Sequence, residues 1–75
     1  MAWIDHVTKD LEEELRDAIK YANMAKEAHD GDRQVLHDMA KEEYTHAKHL
    51  CRMLKAHGVE TDYHELWEQA RAALW

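Results

Sequence analysis

At 75 residues, with no proline, two glycines and a single cysteine, the chain has room for one small domain of helical composition and cannot form an internal disulfide. Sixteen acidic residues against ten interspersed basic ones, a formal charge of −6, exclude the basic stripe that nucleic-acid binding requires. No apolar run approaches the roughly 20 residues that span a bilayer, and the opening stretch is too charged for a signal peptide. The sequence therefore reads as cytoplasmic, with neither nucleic acid nor membrane as a partner. A chain this short buries only about 60% of its unfolded surface, so a metal or self-association is expected to support it.

The two glycines, Gly31 and Gly58, divide the chain into three helical segments, expected at about 5–28, 32–57 and 62–74. Asp5 or Thr8 is a candidate N-cap for the first, and Gly31 its left-handed terminal residue. At about 100° per residue, Ile4, Val7, Leu11, Leu15, Ala18, Ala22 and Ala25 form one apolar face. Glu14 leans toward that face, about 60° from its centre, whereas Glu12, Glu13 and Asp17 lie on the flanks or the far side.

Asp32 is the expected cap of the second helix, and Gly58 followed by Val59 fits a Schellman ending. Leu36, Met39, Ala40, Ala47, Leu50 and Leu54 share a stripe, with Glu43 within roughly 20° of its centre and His46 at its edge. Glu42, His37 and His49 turn away, and Tyr44 is expected off the stripe, at the surface or an interface. In the third segment Thr61 or Asp62 is the candidate cap, with Glu65 completing a capping-box variant. Tyr63, Leu66, Trp67, Ala70 and Leu74 give it an apolar edge for packing.

Two helices joined by about four residues form an antiparallel hairpin. Glu14 lies 17 residues before Gly31, while Glu43 and His46 lie 12 and 15 residues after it. At a rise of 1.5 Å per residue the three groups fall within roughly 3–8 Å in height. Two carboxylates on apolar stripes are costly to bury unless they are paired or coordinate a cation. With His46 as a nitrogen ligand, this oxygen-rich set suits iron or manganese better than a structural zinc. One hairpin carries half of the ligands of a carboxylate-bridged di-iron bundle, and a two-fold dimer would supply the rest while covering the apolar stripes.

At Glu14 to Tyr21 (ELRDAIKY) and Glu43 to Ala47 (EYTHA), separated by a spacer of about 30 residues, the sequence resembles the ferritin-like superfamily. The half-bundle encapsulated ferritins are the nearest in pattern, rubrerythrin and bacterioferritin more distant. The resemblance implies an all-α fold, a hairpin plus a short third helix that completes a four-helix bundle by homodimerisation. It implies two iron ions per dimer, manganese or a mixed pair being the other options, with Glu14 as a bridging ligand and Glu43 and His46 as terminal ones. These three are the expected catalytic residues, and Tyr21 matches the family's tyrosine just outside the ligand set. The implied activity is Fe(II) oxidation by dioxygen or peroxide, in a dimer or a ring of dimers. A protein shell is the family's further partner, although no targeting tail is seen after Trp75.

Two other readings of the same residues stand beside this one: a peroxide-scavenging protein of rubrerythrin type, and a metal-free helical interaction module. Cys51 reads as a small packing residue and Met24, Met39 and Met53 as packing side chains. Trp3, Trp67 and Trp75 read as interface anchors. His6, His29, His37, His49, His57 and His64 read as solvated or capping groups.

Overall fold

The computed structural model describes residues 2–75. Three helices, α1 (Ala2–Glu27), α2 (Asp30–Ala56) and α3 (His64–Leu74), follow one another. The all-α class and the hairpin with a short third helix are as expected, and the helix ends fall within three residues of those read from the sequence. The long pair makes an elongated body of 44 × 20 × 14 Å. Helix α3 lies against the hairpin with its start near Glu12 and its end near Ala22 and Ala25, parallel to α1.

The α1 stripe packs as its periodicity predicts. Leu11, Leu15, Ala18, Ala22 and Ala25 are buried, with Ile4 and Val7 packed at the edge. Facing them on α2 are Ala40, Tyr44, Ala47 and Leu54. Alanines on both helices allow a close approach of the two backbones, and burial of the fully enclosed Leu11, Leu15 and Leu54 contributes about 1.5–3 kcal/mol each. Helix α3 closes one side of the hairpin with Ala70 and Leu74.

Tyr44 corrects the sequence reading. Its ring is 7% exposed and meets Trp67 and Trp75 edge-on, with centroids 5.3 and 5.2 Å away. The buried line of α2 is thus turned by about 45° from the apolar average, at about 100° per residue. That average mixed two directions: Ala40, Tyr44, Ala47 and Leu54 are buried, while Met39 and Leu50 lie roughly 75–95° round the helix from their mean. Trp75 itself is 70% exposed.

The helix ends also differ from expectation. Helix α1 begins ahead of Asp5, and the Thr8 hydroxyl donates back to the Ile4 carbonyl at 2.9 Å, inside the helix and not as a cap. Only Ala28 and His29 separate α1 from α2, so Gly31 and Asp32 fall within α2. The left-handed residue is Asp30, with φ 53°, a conformation an aspartate tolerates better than most side chains. The free carbonyls ending α1 are met by Arg33. Its Nε donates to the carbonyls of Ala25 and Ala28 at 3.1 Å, and its Nη2 to that of Lys26 at 3.3 Å. A cation there also complements the helix dipole.

At the far end of α2 the Schellman ending forms. Gly58 has φ 72°, its N–H donates to the Lys55 carbonyl at 3.0 Å, and that of Val59 to the Leu54 carbonyl at 2.9 Å. Helix α3 starts at His64 with Tyr63 as its N-cap and no side-chain capping bond, so neither Thr61 nor Asp62 caps it.

Candidate metal centre

Helix phase and the short connection together decide which polar residues meet. Glu14 stands on the edge of the α1 stripe facing away from α3. Glu43 and His46, three residues apart on α2, lie on the corresponding edge of the second helix. Antiparallel packing brings the two edges side by side at the same height. His46 Nδ1 lies 3.4 Å from Glu14 Oε2 and 3.9 Å from Glu43 Oε1, and one ligand atom from each residue falls within 4.8 Å of the others.

The carboxylates are recessed and the imidazole is not. The side chains of Glu14 and Glu43 retain 25% and 23% of their exposure, His46 56%. Glu14 Oε2 is fully buried, and His46 Nδ1, 3.4 Å away, does not stand in hydrogen-bonding geometry to it. A buried acceptor without a donor is destabilising by about 1–3 kcal/mol, and more when charged. Burial first, and the adjacent Glu43 carboxyl second, push the Glu14 pKa from 4.5 up to about 7, against the lowering effect of His46. The chain thus holds two carboxyls close together beside one imidazole. Such an arrangement relaxes on taking up a proton or a metal cation.

The donor set fits a transition metal. Two carboxylate oxygens and one imidazole nitrogen within reach of a common point match the oxygen-rich preference of iron and manganese. They leave coordination positions for further ligands. Glu42 and His49, in the same segment, are exposed and outside the cluster, as their helical phase predicted. Glu12 is engaged elsewhere, in an ion pair with Arg16 at 3.7 Å.

Tyr21 is not brought into the cluster. It is half-buried two turns above Glu14, with Lys20 Nζ lying 4.9 Å from its ring centroid. Among the described residues it makes no hydrogen bond to Glu14, Glu43 or His46. Reasoning from the sequence missed Arg33 as the group that ends α1, although a cation just past a helix end is a known signal. It also missed the His37 ring nitrogen, which lies 3.4 Å from the Leu74 carbonyl and ties down the end of α3.

Around this cluster the hairpin side away from α3 has no cover among the described residues. On that side Trp3 and Met39 are 41% and 36% exposed, and Leu50 is half-buried. The fold and site together define a class: a helical hairpin with a third helix on one side and a carboxylate–imidazole cluster set in an open apolar face on the other. The chain matches no family model, no curated protein and no solved structure.

Proposed function

We propose that this chain handles iron. Two copies pair through the open face into a ferritin-like four-helix bundle, and Glu14, Glu43 and His46 from each copy hold two iron ions that are oxidised from Fe(II) by dioxygen or peroxide. The observation that carries this reading is the buried, unbonded Oε2 of Glu14 beside Glu43 and His46. Hydrogen bonding among the described residues does not satisfy that oxygen, for which His46 Nδ1 at 3.4 Å is a poorly aligned neighbour, and a cation would satisfy it. The apolar side chains around the cluster support the dimer by the same economy, since one association would cover them and double the ligand set.

In this reading Glu14, Glu43 and His46 of each copy would hold the ions, the two carboxylates supplying oxygen ligands and the imidazole a nitrogen. Carboxylates accommodate a rise in metal charge by changing from one-oxygen to two-oxygen binding, and a neutral imidazole adds a nitrogen without adding charge. Bound iron supplies one electron per ion, two per dimer, enough to take dioxygen to peroxide or peroxide to water. Met39 and Leu50 on the same edge of α2 would help keep bulk water from the site once the faces meet.

The test is oxidation itself. Fe(II) is loaded under anaerobic conditions, then dioxygen or peroxide is added and the appearance of Fe(III) followed optically. Faster oxidation than in free solution, lost in Glu14→Ala, Glu43→Ala and His46→Ala, is the expected outcome. A strong preference for peroxide would move the assignment to the rubrerythrin type. Rates equal to those of free Fe(II) with either oxidant would remove the oxidase function.

A further inference from the structure

On the other side of the molecule, the cleft between α2 and α3 differs from the rest of the surface in charge. Helix α3 packs mainly on α1, and it meets α2 through the Tyr44 ring against Trp67 and Trp75 and through His37 at the Leu74 carbonyl. Beside them two adjoining clefts open, of about 640 and 560 Å³, sharing Lys55, His64 and Trp67 in their walls. In the larger one, Lys48, Arg52 and Lys55 stand along α2, and no carboxylate lines it.

Of these three cations Lys48 lies over the Tyr44 ring, its Nζ 5.6 Å from the centroid. Among the described residues none of them forms an ion pair, whereas Arg71 across the cleft is paired with Glu68. At spacings of four and three residues they share one helix face over roughly 10 Å. A chain of net charge −6 that gathers three unpaired cations against a half-buried tryptophan presents a site complementary to a small anion with a flat apolar part. The sequence hid it because the basic residues look interspersed until the helix phase aligns them and α3 brings Trp67 and His64 alongside.

We propose that this cleft binds a nucleoside polyphosphate, its phosphates held by Lys48, Arg52 and Lys55 and its base stacked on Trp67. The size of the clefts is that of small-molecule sites. The chain at 58–61, with the Glu60 carboxylate, walls one end of the smaller cleft, which favours a compact ligand whose phosphates sit in the larger cleft over a polypeptide running through. The site is separate from the Glu14 cluster and independent of what that cluster binds.

Equilibrium dialysis of the full chain in chelator-treated buffer, with ATP, inorganic triphosphate, adenosine and a polyglutamate peptide as probes, tests the assignment. ATP is expected to bind on the order of tenfold more tightly than inorganic triphosphate, because stacking adds to charge, and adenosine on its own far more weakly than either. The double substitution Arg52→Gln and Lys55→Gln, at exposed positions that leave the fold intact by circular dichroism, is expected to reduce ATP affinity at least tenfold. Trp67→Leu should weaken ATP while leaving triphosphate within twofold, and Glu14→Gln should change neither. Equal binding of ATP and triphosphate would overturn the proposal, as would tighter binding of the acidic peptide or no ATP binding at millimolar concentration. The comparison between probes needs no variant, so it decides the matter even if Trp67→Leu unfolds.

Discussion

The two sides of the hairpin are built from the same two helices and have opposite character. On the side covered by α3, small and aromatic residues interlock: Ala70 and Leu74 pack toward the alanines of α1, and Tyr44 sits between Trp67 and Trp75. Every buried side chain there is apolar or, like Tyr44, mostly ring. On the open side two recessed carboxylates and a histidine replace the apolar filling, and large side chains remain half in solvent. The contrast teaches that this chain divides stability and chemistry by helix face, not by segment. Substitutions on the two sides are therefore expected to have effects of different size and even of different sign.

The largest effect is expected on the covered side. Leu15 is fully buried, and Leu15→Ala should reduce the unfolding free energy by about 2–5 kcal/mol through lost burial and the cavity left behind. For so small a domain that is a large part of the total. Urea unfolding followed by circular dichroism measures it, and a loss below about 1 kcal/mol would show that the core is not where the fold is held.

A smaller loss is expected at the turn joining the two helices. Arg33→Ala removes three hydrogen bonds to the end of α1, all partly exposed to water, and should lower stability by about 1 kcal/mol. Arg33→Lys retains charge without the forked geometry and should recover only part of it. Full recovery in the lysine variant would assign the effect to the helix dipole alone.

The smallest effect, and the one of opposite sign, is expected on the open side. In the folded metal-free chain Glu14 holds its proton up to about pH 7, whereas the unfolded chain releases it near 4.5. The folded state therefore binds more protons between those values. Its stability falls as the pH rises through that window and levels off above it. Glu14→Gln, which carries no charge at any pH, should flatten this slope and leave the chain at pH 8 equal to or slightly more stable than the parent. Thermal melts from pH 4.5 to 8 check it, and a parent whose stability rises across that range would contradict the account. Metal affinity should run the other way, increasing with pH as the proton is displaced.

How far the sequence could be read depends on how many jobs each helix face performs. Helix α1 has a single stripe, and its buried residues were legible one by one. Helix α2 serves two faces, so averaging its apolar residues pointed between them, and Tyr44 was placed outside while it lies in the core. The same averaging still left Glu43 and His46 on the correct edge, because that edge borders both faces. Glu14 followed from counting along two antiparallel helices, a calculation that tolerates a turn two residues shorter than expected. The cap residues were less legible. Asp5, Thr8, Asp32, Thr61 and Asp62 all have capping chemistry, but the ends are set by Asp30, Arg33 and the Gly58–Val59 pair through tertiary geometry.

The proposed metal site at Glu14, Glu43 and His46 is completed only by a second copy of the chain. Anaerobic Fe(II) titration of the wild-type chain in an analytical ultracentrifuge, with bound iron and sedimenting mass read at each step, tests both halves together. The account predicts one Fe(II) per chain, saturating as the mass reaches that of a dimer, with neither change in Glu14→Gln. Iron bound no better than by that variant, or one ion bound tightly to a chain that stays monomeric, would contradict it.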